Sequence, residues 1–329
     1  MEKLKNKRII IILPKFFGYE DYIYREFSKY CSDVNIIYEN LDELNYLYRL
    51  LYAYLPKYKK NIQRKYYISK LKKKIKNADI ILVIRGSSIT EDVMNYMKLE
   101  APSQCKFCLY QWDSVQNNPE IKKIHHMFDI VSTFDLNDAR KYKWKYRPLF
   151  FIPEILNNKD KTIDVFFIAS LHSKRVEILN EVKEITKKNG LSVRTFLFSK
   201  RLVFYKRKYI NKKEEYCNSV NKDILFKPIS VKESYSFYSD SKIVVDYTHP
   251  NQKGLTMRTI ECLGNKCKLV TNNKYVREAD FYNENNIFIY DENNFDIPKD
   301  FINKPYENID KNIVDSYTIQ KWIMDIIGG

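Results

Sequence analysis

The sequence predicts an α/β protein made of two successive parallel-sheet units. Unbroken apolar runs such as Ile9–Leu13, Ile80–Ile84, Ile163–Ile168 and Ile243–Val245 alternate with segments whose apolar residues recur at helical spacing. The alternation restarts after a polar stretch, residues 157–162 (NNKDKT). A run apolar on both faces fits a strand covered on both sides, and strand–helix alternation fits a parallel sheet.

Taken in order, Ile9–Leu13 is a strand closed by Pro14–Gly18, and Tyr19–Tyr30 has helical spacing at Tyr22, Ile23, Phe27 and Tyr30. Val34–Tyr38 follows as a strand, residues 41–75 as a helical region broken near Pro56, then Ile80–Ile84, Cys105–Tyr110 and Phe128–Thr133 as strands. Short helices are expected from Pro119 and over Asn137–Lys143, and Pro148–Pro153 leads out of the first unit. The second unit has expected strands at Ile163–Ile168, Val193–Phe198, Ile224–Pro228, Lys242–Tyr247, Lys268–Thr271 and Ile287–Tyr290. Its helices are Lys174–Lys188, closed by Asn189-Gly190, a basic Tyr-rich segment Lys200–Tyr216, Val231–Ser239, and Leu255–Leu263. A tail helix is expected over Ile309–Ile327. The expected division is 1–153, 154–308 and a helical tail, 309–329. Both units are expected to be Rossmann-like.

At 329 residues the chain is long enough for two cores, and 44% hydrophobic with 15% aromatic residues excludes a disordered protein. The formal net charge of +16 is uneven: residues 1–150 hold 28 of the 57 Lys and Arg but only 17 of the 41 Asp and Glu. Much of the excess lies in Lys57–Lys76, with ten basic residues, no acidic one and an apolar side of Tyr58, Ile62, Tyr66, Tyr67, Ile68, Leu71 and Ile75. A basic amphipathic helix suits an anionic membrane surface, and it equally suits a solvated helix face. Nucleic acid is the rival partner, yet no zinc-finger spacing, RNP-type motif or Gly-rich arm is present, so none is expected.

Cys105-Lys-Phe-Cys108 lies within a strand pattern and no second pair exists, so the six cysteines are expected as packed thiols in a reducing cytoplasm. His125 and His126 are adjacent and point apart on a helix, which makes them poor co-ligands for one metal. No stretch approaches the ~18 apolar residues of a membrane span. The basic-then-apolar start is too short for a signal peptide and fits the first strand better.

Chemistry-bearing residues gather where strands end. His249–Gly264 follows a strand and enters a helix; Gly254 and Leu255 occupy the turn, Thr256 the helix start, and Lys253 and His249 the approach. First-turn amides at a helix N-terminus suit a diphosphate, and Gly254 fits a turn needing positive φ or a close backbone approach. Glu261 lies seven residues beyond Gly254, about two turns on, where a carboxylate accepts hydrogen bonds from a ribose diol. Ser170, His172, Ser173 and Arg175 gather at a second helix start, with Ser173 equally suited to a plain N-cap. Lys227 follows another strand. In the first unit Arg85 and Asp113 end strands, as an anion or substrate contact and a general base; each equally suits a cap or a surface ion pair.

The blocks Tyr110-Gln-Trp-Asp-Ser114, Asp164–Ser170 with Arg175, and Gly254–Glu261 followed by Lys268–Asn272 resemble GT-B glycosyltransferases. The likeness points in particular to bacterial lipopolysaccharide or capsular polysaccharide biosynthesis enzymes. It implies a nucleotide-sugar donor held by the second domain and a glycan or glycolipid acceptor held by the first. It also implies two domains facing across a cleft with the C-terminal helix packing back on the first, Glu261 on the ribose and amides near Gly254–Thr256 on the diphosphate; the basic segment Lys57–Lys76 adds the expectation of a cytoplasmic protein on the inner face of the cell membrane. Where many such enzymes carry a second acidic residue, this chain reads Asn251-Gln252-Lys253. No Asp-x-Asp motif occurs, in line with metal-independent chemistry and no cofactor, so the leaving diphosphate has Arg175, Lys227, Lys253 and Arg258 to stabilise it. The alternatives are a basic nucleic-acid-associated binding protein and a non-catalytic scaffold of the same fold.

Overall fold

In the computed structural model the described residues are 2–39, 59–157, 160–219, 221–249 and 252–328. The first part of the helical region expected over 41–75, including Lys57 and Tyr58, lies outside them, as do Pro250 and Asn251. The chain divides into two compact units, Met1–Pro148 with Ile319–Gly329, and Leu149–Thr318.

The first unit holds a six-stranded sheet in the order β2-β1-β3-β4-β5-β6, with every neighbouring pair parallel. Its strands are β1 Arg8–Leu13, β2 Asp33–Tyr38, β3 Ile80–Ile84, β4 Lys106–Gln111, β5 Ile130–Thr133 and β6 Lys145–Tyr146. β1 is apolar at five successive positions because both its faces are covered, and each fully buried isoleucine contributes about 1.5–3 kcal/mol. Pro14 ends it. β6, two residues at the edge, is too short to leave an alternation pattern in the sequence.

The helix Lys59–Leu71 buries Ile62, Tyr66, Tyr67 and Leu71, and its aromatic and aliphatic residues join the core with Val83, Val93 and Leu109. The apolar side of the basic segment is therefore spent inside the protein, and its cations remain on the exposed face. The expected tail helix is two helices, Lys311–Ser316 in the second unit and Ile319–Ile326 in the first. The latter buries Ile319, Trp322, Ile323 and Ile326 against the helix Tyr19–Ser28 and strands β4 and β5. Lys106 Nζ donates to the carbonyl of Ile327 at 3.0 Å, tying the chain end to the sheet.

The second unit holds a parallel sheet in the order β12-β11-β10-β7-β8-β9. The strands are β7 Ile163–Ser170, β8 Val193–Phe198, β9 Ile224–Leu225, β10 Ser241–Asp246, β11 Lys268–Thr271 and β12 Ile287–Ile289. Counted within the unit this is the doubly wound order 3-2-1-4-5-6, whose ligand crevice opens beyond the strand ends where the order reverses. That point lies between β7 and β10. Phe166, Phe167, Val244 and Val245 are buried at the centre of this sheet. Gly264 ends the helix Met257–Gly264 where a Cβ would stand 2.5 Å from Cγ of Phe151, so no larger residue fits unless Phe151 moves.

Three local expectations are corrected. The helix Arg175–Lys188 has Lys174 as N-cap, and Ser173 stands one residue before it in the left-handed region at φ 57°, so Ser173 is not the cap. Lys200–Tyr216 is not one helix: Arg201–Tyr205 is α-helical, Lys206–Ile210 a π-helical turn, and Glu214–Cys217 a separate turn. Gly254 is not among the positive-φ glycines, so no left-handed turn requires it.

Candidate functional site

The centre of the second unit's crevice is a carboxylate that sequence reasoning did not select. Asp246 ends β10 with 0% exposure and accepts from Arg258 Nε at 2.5 Å, Thr256 Oγ1 at 2.9 Å and Thr248 Oγ1 at 3.1 Å. A buried carboxylate is stable only with such partners. Thr256 also caps the helix Met257–Gly264 by accepting from the Thr259 amide, so one hydroxyl joins strand end to helix start. Asn272 Oδ1 accepts from the Thr248 amide at 2.8 Å and its Nδ2 donates to the Thr248 carbonyl at 2.9 Å. Asn273 Nδ2 donates to the Gly254 carbonyl at 3.2 Å. The loop before the helix is thus braced from β11. The available signal was an Asp at the end of an otherwise apolar strand.

Arg258 is opposed by burial, but Asp246 outweighs it and holds the guanidinium above its ordinary range. Arg175 is different. Its Nη1 lies 2.6 Å from His172 Nε2 and donates to the Ser170 carbonyl at 3.2 Å, Nη2 donates to the Tyr247 carbonyl at 3.4 Å, and Nε is buried with no hydrogen-bond partner among the described residues. Burial first, then the charge of Arg258, lowers its pKa to about 10. Burial first, then Arg175, lowers His172 to about 4. His172 is therefore neutral at pH 7; with Nε2 accepting from Arg175, its Nδ1–H donates to Ser173 Oγ at 3.0 Å. Of the two guanidiniums only Arg258 is ion-paired with Asp246; Arg175, repelled by Arg258 and attracted by Asp246 at longer range, leaves a positive field at the strand-order reversal that an added anion relieves.

The sequence-selected residues divide accordingly. Ser170, His172, Ser173, Arg175 and Thr256 come together around β7 and β10, and His249 lies close enough to lower the His172 pKa. Gly254 and Leu255 are buried in the loop, where Leu255 packs as a core side chain. Lys253 is exposed, with Nζ 5.5 Å from the centre of the Tyr275 ring. Lys227 follows β9 at the outer edge of the sheet, two strands from β7. Glu261 is 1% exposed on the inner side of the helix, and its charge helps to raise Arg258.

In the first unit the loops after β3 and β4 meet around Glu39, a 1%-exposed carboxylate just beyond β2 that no pattern in the sequence singles out. Glu39 accepts from Arg85 Nε at 3.2 Å, Ser87 Oγ at 2.6 Å and the Ser88 amide at 2.9 Å. Arg85 is thus an ion-paired residue in a left-handed backbone conformation, φ 73°, whose carbonyl takes hydrogen bonds from Gln111 and Asn118. Asp113 keeps part of its surface; burial first, and the charge of Glu39, raise its pKa against the opposing Arg85 and an Asn117 hydrogen bond. Its neighbour Trp112 packs edge-on to Phe16, ring centres 5.5 Å apart.

Among the described residues no cluster of three or more His, Cys, Asp or Glu side chains is arranged to hold a metal, and no helix is long and apolar enough to cross a membrane.

No protein-family profile matches the chain, and no curated protein matches it. Solved structures share its fold. A glycosyltransferase from Rickettsia africae has a TM-score of 0.57 at 13% identity, covering 97% of each chain. HepE from Anabaena, in complex with UDP and glucose, has 0.53 at 10% identity over 98% of this chain and 95% of its own. The catalytic domain of starch synthase IV from Arabidopsis thaliana, bound to ADP and acarbose, has 0.52 at 10% identity over 95% and 91%. The fold is the GT-B type, two Rossmann-like domains.

Proposed function

We propose that the chain transfers a sugar from a nucleotide-sugar donor, bound by the second unit, to a glycan or glycolipid acceptor bound by the first. The observation that carries this is Arg175: a half-buried guanidinium beside a second one, at the strand-order reversal, whose enclosed Nε–H has no hydrogen-bond partner among the described residues. The donor diphosphate would take Arg175 together with the first-turn amides of the helix Met257–Gly264, which have no acceptor within the helix. Arg258 would act through its charge, fixed in direction by Asp246, and Glu261, only 1% exposed, is not assigned to the ribose. Because the cations are set before the donor arrives, they stabilise the leaving diphosphate with little reorganisation. No metal or cofactor is assigned a role.

In the first unit, Asp113 would accept the proton of the acceptor hydroxyl, and its raised pKa makes it a stronger base than an exposed carboxylate. Arg85 is assigned to hold that loop through Glu39. The exposed cations of the helix Lys59–Leu71 would add attraction to an anionic membrane surface on the cytoplasmic side.

Thermal unfolding with UDP-, GDP-, dTDP-, ADP- and CMP-sugars tests the reading. One donor class should stabilise the protein, by about 2.7 kcal/mol at a hundredfold excess over Kd. Stabilisation by none of them, with salt-sensitive binding to nucleic acid instead, would reject it.

A further inference from the structure

Residues 200–213 leave β8 and lie outside the sheet as the short helix Arg201–Tyr205, the π-helical turn Lys206–Ile210 and the chain beyond. Phe204 alone among its large apolar residues is buried, packed against Tyr216 and Phe226. Leu202 is 85% exposed, Ile210 74% and Tyr209 64%, with Val203 and Tyr205 also in solvent. Half of the protein's exposed large hydrophobic residues, among those described, fall in this one stretch. Lone exposed apolar residues need no explanation, but a cluster does.

The same stretch carries Lys200, Arg201, Lys206, Arg207, Lys208, Lys212 and Lys213 and no acidic residue. Three of these cations are pinned on aromatic rings: Arg201 over Phe226, Arg207 over Tyr216 and Lys208 over Phe204. Tyr205 and Tyr209 stack with ring centres 6.0 Å apart. The surface therefore offers aliphatic tips, interfacial aromatics and fixed positive charge together.

We propose that residues 200–213 dock the protein on an anionic lipid bilayer, with Leu202, Tyr209 and Ile210 entering the headgroup–acyl boundary and the cations meeting lipid phosphates. A bilayer satisfies both halves of the surface. A nucleic-acid backbone would satisfy the charges yet leave Leu202 and Ile210 in water, and a second copy of this face would bring like charges together. The helix Lys59–Leu71 has comparable charge but no free apolar side, so it contributes attraction without insertion. The proposal is independent of the donor chemistry.

Co-sedimentation of the full chain with phosphatidylcholine vesicles, with and without phosphatidylglycerol, tests it. Binding should need the anionic lipid. Leu202→Ser with Ile210→Ser should weaken it about tenfold or more. Lys212→Ser and Lys213→Ser should cost about fivefold each. Removing Lys59 and Lys60 should have a smaller effect than the Leu202 and Ile210 pair. Ile210→Trp, which keeps the surface apolar, should show a blue-shifted emission on anionic vesicles. Unchanged vesicle binding by the double serine variant, or no blue shift with the tryptophan variant, would overturn the proposal. So would RNA binding without vesicle binding, or self-association that the serine variant abolishes.

Discussion

Arg258 Nε lies 2.5 Å from a carboxylate oxygen of Asp246, and that carboxylate, at the end of β10, also receives the hydroxyl of the N-cap Thr256. Strand, loop and helix are therefore coupled through one buried charge. Asp246→Asn keeps the shape but removes the counter-charge, leaving Arg258 beside Arg175 uncompensated. Denaturant unfolding should show a loss of about 3 kcal/mol or more, the usual cost of breaking a buried pair.

His172 makes stability depend on acidity. Its folded pKa, about 4, lies below the unfolded value of about 6.5, so the folded protein binds fewer protons between them. Its contribution is present in full above about pH 6.5 and is lost as pH falls toward 4. Unfolding free energies across that window should decline less in His172→Gln than in the parent, and an imidazole NMR titration should give a midpoint well below the ordinary value.

Gly264→Ala places a Cβ against the buried Phe151 ring. Overpacking of this kind costs about 1–3 kcal/mol. Combining it with Phe151→Leu should recover part of the loss in thermal unfolding, whereas Gly190→Ala, where a Cβ meets nothing, should gain nothing from Phe151→Leu.

Asp113→Asn should lower kcat by about 10²–10⁴-fold while leaving donor binding unchanged. Because the carboxyl pKa is raised by burial, the parent's rate should climb with pH as that group ionises. The variant should lose that limb of the profile. Equal kcat in parent and variant would remove Asp113 from the base role.

Periodicity made the central strands legible: β1 and β3 run where the unbroken apolar runs Ile9–Leu13 and Ile80–Ile84 predict them, because strands covered on both faces need unbroken apolarity. The division of the tail into two helices was not legible, since neither Gly nor Pro stands at Tyr317 and Thr318 and the segments are separated by backbone pairing with distant Phe151, whose amide donates to the Tyr317 carbonyl at 2.9 Å. At the site, Arg175 and Thr256 could be found because they sit at helix starts. Asp246 carried only the faint signal of an acid closing an apolar strand and Glu39 carried none, because a buried carboxylate is defined by donors distant in sequence: Arg258 and Thr256 for one, Arg85 to Ser88 for the other. Lys227 shows the converse, a cation at a strand end that the sheet order carries away from the crevice.

We propose Arg175 as the cation that meets the donor diphosphate. Calorimetric titration of UDP, GDP, ADP and dTDP into the parent and into Arg175→Ala measures it directly. One nucleoside diphosphate should bind the parent, and the folded variant should bind it at least about tenfold more weakly, as expected for loss of a charge-assisted contact. Equal affinity in the two proteins, or no binding of any nucleotide by the parent, would contradict the account.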